Sequence, residues 1–122
     1  MKLYYSPAAC SLASHIALHE AGLPFTSEKV DLASHKTAGG EDFYQITSKG
    51  YVPAVKLADG SMLTEGGAIL QYIADQKPES DLAPKNGTME RYRLQEWLTF
   101  IGTEVHKPMG SFFNKALHED TK

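Results

Sequence analysis

At 122 residues, with 42% apolar and 22% charged side chains, the chain has the length and composition of an ordinary soluble domain. A net charge of −3 and a pI near 5.9, without a basic run or aromatic–basic interleaving, argue against a nucleic-acid partner. No stretch approaches the roughly 18 apolar residues of a membrane span. One cysteine excludes an internal disulfide, so the expected setting is the reducing cytoplasm.

Lys2-Leu3-Tyr4-Tyr5 is short, apolar and aromatic, and ends at the turn signal Ser6-Pro7. It is too short for an export signal and reads as a buried strand. Leu12, Ile16 and Leu23, with Ala13, Ala17 and Ala21 between them, predict a helix stopped by Gly22-Leu23-Pro24. Cys10 falls on the strand-to-helix turn, at or one residue before the first helical turn. The free amides of a helix start carry partial positive charge and favour thiolate over thiol. A cysteine there suits a nucleophile, a mixed-disulfide partner, or a group that holds another thiol. The plain alternative is a small buried apolar residue; the proline turn and the helix start favour chemistry.

Phe25 to Val30 reads as a second strand, 33–40 as loop, and Glu41 to Ile46 as a short helix with Phe43 and Ile46 inward. Strand, helix, strand in this span predicts that strands one and two run parallel. Val52 to Leu57 and Met62 to Thr64, joined through Ala58-Asp59-Gly60-Ser61, predict a hairpin. Thr64 is expected to cap the next helix, with Glu65 in its first turn and Ala68, Ile69, Tyr72 and Ile73 on its inner face. The order β-α-β-α-β-β-α in one mixed sheet is the α/β plan of the thioredoxin-like fold. His15 and His19 stand four apart, but Ile16 occupies the place of the glutamate in a metalloprotease helix. His15 therefore reads as structural, and no metal is expected.

Lys77 to Gly87, with two prolines, reads as an interdomain linker. A helix follows, capped by Thr88, with an apolar stripe of Leu94, Leu98, Ile101 and Val105. Beside it runs a polar stripe through Thr99, Thr103 and His106. Lys107-Pro108 is expected to end the regular part. One apolar-striped helix cannot bury its stripe alone. The chain therefore reads as cut short.

Five motifs, in register from end to end, resemble the bacterial beta-class glutathione S-transferases. They are Lys2-Leu3-Tyr4-Tyr5-x-Pro7-x-x-Cys10-Ser11-Leu12-x-x-His15-Ile16, Lys49-Gly50-x-Val52-Pro53, Leu63-Thr64-Glu65-Gly66, Gln71-Tyr72-x-Ala74-Asp75, and Glu96-Trp97-Leu98 with Glu104-Val105-His106-Lys107. The resemblance implies a thioredoxin-like glutathione-binding domain over 1–81, a linker over 82–86 and an incomplete all-helical domain over 87–122. It implies a cis peptide before Pro53, whose turn would leave the N–H and C=O of Val52 open to pair with glutathione's backbone.

The same resemblance implies that the amides at Glu65-Gly66 take the γ-glutamyl carboxylate and that Glu65 takes the ammonium. Gly66 departs from the small hydroxyl residue or Ala expected there. His106 is implied to stand near Cys10 as the second catalytic residue. Ser11, Thr103, Val105 and Lys107 are implied to contact glutathione, and Glu104 to reach the glutathione of a neighbouring subunit in a homodimer. His35, where the family tends to carry Lys, would grip the glycine carboxylate more weakly, and Thr99 stands where Asn is usual. The implied activity is transfer of glutathione to a small hydrophobic electrophile, with glutathione as co-substrate. Two alternatives remain: glutathione-dependent disulfide or peroxide reduction on the same site, and a non-catalytic glutathione-binding fragment.

Overall fold

A computed structural model of the chain describes residues 1–117 and Asp120. Residues 118, 119, 121 and 122 of the predicted helical segment lie outside the described residues. Contacts divide the chain into two units, Met1–Ala83 and the part from Pro84 onward.

The first unit is built on β1 (Lys2–Tyr5), the middle strand of a five-stranded sheet of order β3-β2-β1-β4-β5. Its neighbour β2 (Thr26–Asp31) runs parallel, as the βαβ pattern predicts, with Leu3 opposite Ser27 and Tyr4 opposite Glu28. On the other side β4 (Ala54–Lys56) runs antiparallel, and the expected hairpin joins it to β5 (Met62–Thr64). Side chains alternate along β1 and β4, so each sheet face receives its own set. Leu3 and Val55 pack with Leu18 and Ala21 of α1 (Ser11–Ala21) and Ile69 and Ile73 of α3 (Gly66–Gln76). Tyr4, Val30, Val52 and Ala54 pack on the opposite face with Phe43 of α2 (Phe43–Ile46). Both faces are covered, which is why Leu3 and Tyr4 are both buried.

Four expectations for this unit need correction. Leu12 and Ile16 are about half exposed at 54% and 51%, and the buried stripe of α1 is instead Ser11, Ser14, Leu18 and Ala21. The Ser11 hydroxyl donates to Ser6 O and accepts from Ser6 N–H, which turns that side of the helix inward. The 33–40 loop contains a short strand, β3 (Lys36–Thr37), antiparallel to the end of β2. Thr64 closes β5 rather than capping α3, and Glu65 is the residue at the cap. Ala68 is exposed, while Ala74 joins Ile69 and Ile73 on the inner face.

The second unit opens with α4 (Met89–Phe100), whose cap is as predicted: the Thr88 hydroxyl accepts from Arg91 N–H at 3.2 Å. Leu94 and Leu98 are half-buried, but Ile101 and Val105 are 46% and 40% exposed. Lys107-Pro108 does not end the helical path. A six-residue π segment, Ile101–His106, leads into a helical turn at Lys107–Met109 and a 3-10 turn at Gly110–Phe113. Pro108 is tolerated because it lies in the first turn of the new stretch, where its missing N–H is not needed. Among the described residues no helix is long and apolar enough to cross a membrane.

Candidate functional site

Cys10 is the cap residue of α1, and its own side chain makes no capping bond. Its thiol reaches across the sheet and donates to the carbonyl oxygen of Val52, 42 residues away, at 3.1 Å. The Val52–Pro53 peptide is cis, as the resemblance implies. The Val52 carbonyl is thus partnered rather than open, whereas its N–H has no hydrogen-bond partner among the described residues.

The thiol does not follow the expectation of a depressed pKa. It is held above its ordinary value, first by desolvation and in addition by the carboxylate of Glu65. The backbone N–H groups of Cys10 and Ser11 push the other way. Two amides do not outweigh partial desolvation together with a like charge. The Ser11 hydroxyl is buried and held by Ser6, so what Ser11 presents to the sulfur is its amide.

Glu65 has φ 74 and ψ 121, a left-handed backbone at a non-glycine residue that costs about 1–3 kcal/mol. Its carboxylate accepts from Lys49 Nζ at 2.9 Å, and the same ammonium donates to Thr64 Oγ1 at 3.3 Å. A Cβ placed on Gly66 would meet Pro53 Cγ at 4.0 Å, an ordinary contact, so packing does not demand glycine there. Through these contacts Cys10, Val52, Pro53, Glu65 and Gly66 lie together at one end of the sheet.

Lys49 belongs to a motif named above but received no role there. The β4–β5 register sets Ala54 opposite Thr64, so the chain entering the hairpin and the chain leaving it end side by side. That closure was the available signal for the Lys49–Glu65 pair.

His35 stands elsewhere, stacked on Tyr44 with ring centroids 4.5 Å apart, and its Nε2 lies 3.1 Å from the Tyr44 hydroxyl. His15 lies among aromatic rings, 5.1 Å from Tyr5, 5.4 Å from His19 and 5.6 Å from Phe25, in keeping with a structural role. The other predicted residues belong to the second unit. Thr99, Thr103, Glu104, Val105, His106 and Lys107 are all exposed, and Thr103 donates its hydroxyl to Thr99 O at 3.0 Å. Thr103 to His106 fall within the π segment, a backbone form frequent at functional sites.

Residues 8–76 match the family described as "Glutathione S-transferase, N-terminal domain". The chain is 46% identical to glutathione S-transferase GstA of Escherichia coli O157:H7 over its entire length, which is 61% of that protein's. It is also similar to BphK, a bacterial glutathione S-transferase solved as a ternary complex: TM-score 0.96, 57% identity, covering 98% of this chain and 60% of that one. A sphingomonad glutathione S-transferase solved with glutathione gives TM-score 0.95 and 52% identity, with the same coverage.

Proposed function

The chain belongs to the glutathione S-transferase family, and from that premise we propose that it binds glutathione beside Cys10 and transfers it to small hydrophobic electrophiles. The observation that carries this reading is the 3.1 Å contact between the Cys10 thiol and the carbonyl of Val52. It joins a sulfur, a strand edge and, through Glu65 and Gly66, a helix N-terminus in one place.

Glutathione's cysteinyl backbone pairs with Val52 as a short antiparallel strand beside Pro53. Its γ-glutamyl carboxylate takes the first amides of α3 at Gly66, and its ammonium takes Glu65. The guest thiol gives its proton to water. The Cys10 S–H turns from Val52 O, which frees that carbonyl for the peptide, and with the amide of Ser11 donates to the guest thiolate; the thiolate forms a C–S bond with the electrophile, and the leaving group departs with its electron pair. In this scheme Cys10 donates and does not attack, which sets it apart from the reductase alternative, where its sulfur would be the nucleophile.

In this proposal His106 serves the thiol as a hydrogen-bond partner or a local positive field, and Thr99, Thr103, Val105 and Lys107 contact the peptide. Glu104 reaches the glutathione of a second subunit in a homodimer. His35 takes the glycine carboxylate on leaving Tyr44. Residues 1–81 act as the glutathione-binding domain, 82–86 as the linker and 87–122 as part of an all-helical domain, in a cytoplasmic protein.

Millimolar glutathione tests the reading. Thermal melting should rise by an amount equivalent to about 1–3 kcal/mol at 10- to 100-fold excess over Kd, with turnover of an aryl halide that falls on Cys10→Ala. No shift would overturn it. The chain spans 61% of the length of its E. coli relative. A second reading is a glutathione-binding unit without turnover. Stabilisation with no conjugate formed from any electrophile would select that one.

A further inference from the structure

The Val52 carbonyl takes the Cys10 thiol, and the Val52 N–H has no hydrogen-bond partner among the described residues. That N–H lies in the peptide plane joining Tyr51 to Val52, so its aim is fixed from both ends. At one end the Val52 side chain is buried and packs in one cluster with Phe43. At the other end Tyr51 is 68% exposed and offers no comparable anchor. The next support lies one residue back, at Gly50.

Gly50 rests on the ring of Tyr44. A Cβ at Gly50 would lie 2.5 Å from Tyr44 Cε1 and 3.0 Å from Cζ, so glycine alone allows this approach, and its φ of 66° asks for glycine again. The ring is itself fixed. It stacks on His35 at 4.5 Å, with its hydroxyl 3.1 Å from His35 Nε2. The Tyr44 N–H donates to Asp42 Oδ1 at 3.0 Å, and Phe43 beside it is fully buried. Thr47 N–H donates to Phe43 O and Gly50 N–H to Thr47 O, which ties α2 to Gly50 along the backbone as well. At 48% exposed the ring adds less to the core than a buried aromatic would. What it supplies is a flat wall behind Gly50.

We propose that Tyr44 is a positioning residue: through Gly50 it holds the Tyr51–Val52 peptide plane and so aims the Val52 N–H at the carbonyl of an incoming peptide. This rests on the glutathione reading above. Without the wall, Gly50 regains the dihedral freedom of a glycine, and a hydrogen bond weakens steeply once its donor swings off line. Tyr44 acts on binding through the backbone and needs no contact with the ligand.

Calorimetry with γ-glutamylcysteine, which lacks the glycine assigned to His35, tests this. Tyr44→Ala should weaken binding about fivefold, the loss of one well-made hydrogen bond, while Tyr44→Phe keeps the ring on Gly50 and the wild-type affinity. Melting curves report that the fold is kept; should Tyr44→Ala not fold, Tyr44→Leu, apolar but without the flat ring, takes its place with the same expectation. In nitrogen–proton spectra the Val52 amide should move on saturation with the peptide in wild type and Tyr44→Phe, and move less in Tyr44→Ala. Unchanged affinity in Tyr44→Ala, an equal loss in Tyr44→Phe, or the same movement of the Val52 amide in all three would overturn the proposal. A wild-type chain that binds neither γ-glutamylcysteine nor glutathione would instead overturn the glutathione reading beneath it.

Discussion

Cys10 and Glu65 act on each other through space: the carboxylate adds to the desolvation that holds the thiol above its ordinary value. The sign of a change at Glu65 follows directly. Removing the negative charge removes a penalty on thiolate, so Glu65→Gln should lower the Cys10 pKa and raise alkylation by iodoacetamide near neutral pH about twofold. The rate measured against pH checks this, and a profile identical to wild type would mean that desolvation alone sets the thiol. The hydrogen bond to Val52 O works in the same direction as the desolvation, because only the protonated sulfur can donate it. At this scale desolvation and the Glu65 carboxylate together hold the thiol above its ordinary value, and the bond to Val52 O belongs to its protonated form.

At the scale of elements, the β1–β2 pair carries the largest titration shift among the described residues. The parallel register sets Lys2 opposite Thr26 and Tyr4 opposite Glu28, which brings Lys2 Nζ within 2.6 Å of Glu28 Oε1. That hydrogen-bonded ammonium comes first, with Thr37 and the amide of Gly39 behind it, and together they lower the Glu28 carboxyl from 4.5 to about 2. A depressed carboxyl stabilises the fold above the unfolded pKa and loses that contribution as pH falls toward the folded one. Stability should therefore drop on the order of 1–2 kcal/mol between about pH 5 and pH 2, after allowing for partial exposure of the pair. Urea unfolding across that range reads the loss, and Lys2→Met should flatten it; an equally steep acid limb in the variant would assign the loss to other carboxyls. Thr37 and Gly39 lie in the span that reads as loop. Their bonds to Glu28 help hold β3 as a strand against β2.

At the scale of the whole molecule, the second unit presents a large apolar surface. Met89, Tyr92 and Trp97 are more than half exposed, as are Phe112 and Phe113, while Phe100 is 48% exposed and meets Trp97 edge-on with centroids 5.9 Å apart. Exposed apolar side chains, when they adjoin one another, mark a surface of association. The native chain should bind the dye ANS and self-associate with rising concentration, as read by fluorescence below the melting transition and by sedimentation. Absence of dye fluorescence until unfolding begins would show that these side chains are covered in solution.

Local signals carried much of the fold. The strand Lys2–Tyr5, the stop at Gly22, the hairpin around Asp59-Gly60 and the cap at Thr88 each rest on neighbours a few residues apart, and the motifs around Cys10, Pro53 and Glu65 fall at one end of the sheet. What sequence alone determined is therefore most elements of the first unit, their order apart from β3, and the family. The buried face of α1, the strand inside 33–40, the partnered Val52 carbonyl, the raised thiol and the Lys49–Glu65 pair were decided by tertiary structure. The physical reason is distance along the chain. Propensity and periodicity act between near neighbours, whereas desolvation, through-space charge and hairpin closure depend on groups that come together only when the sheet is complete.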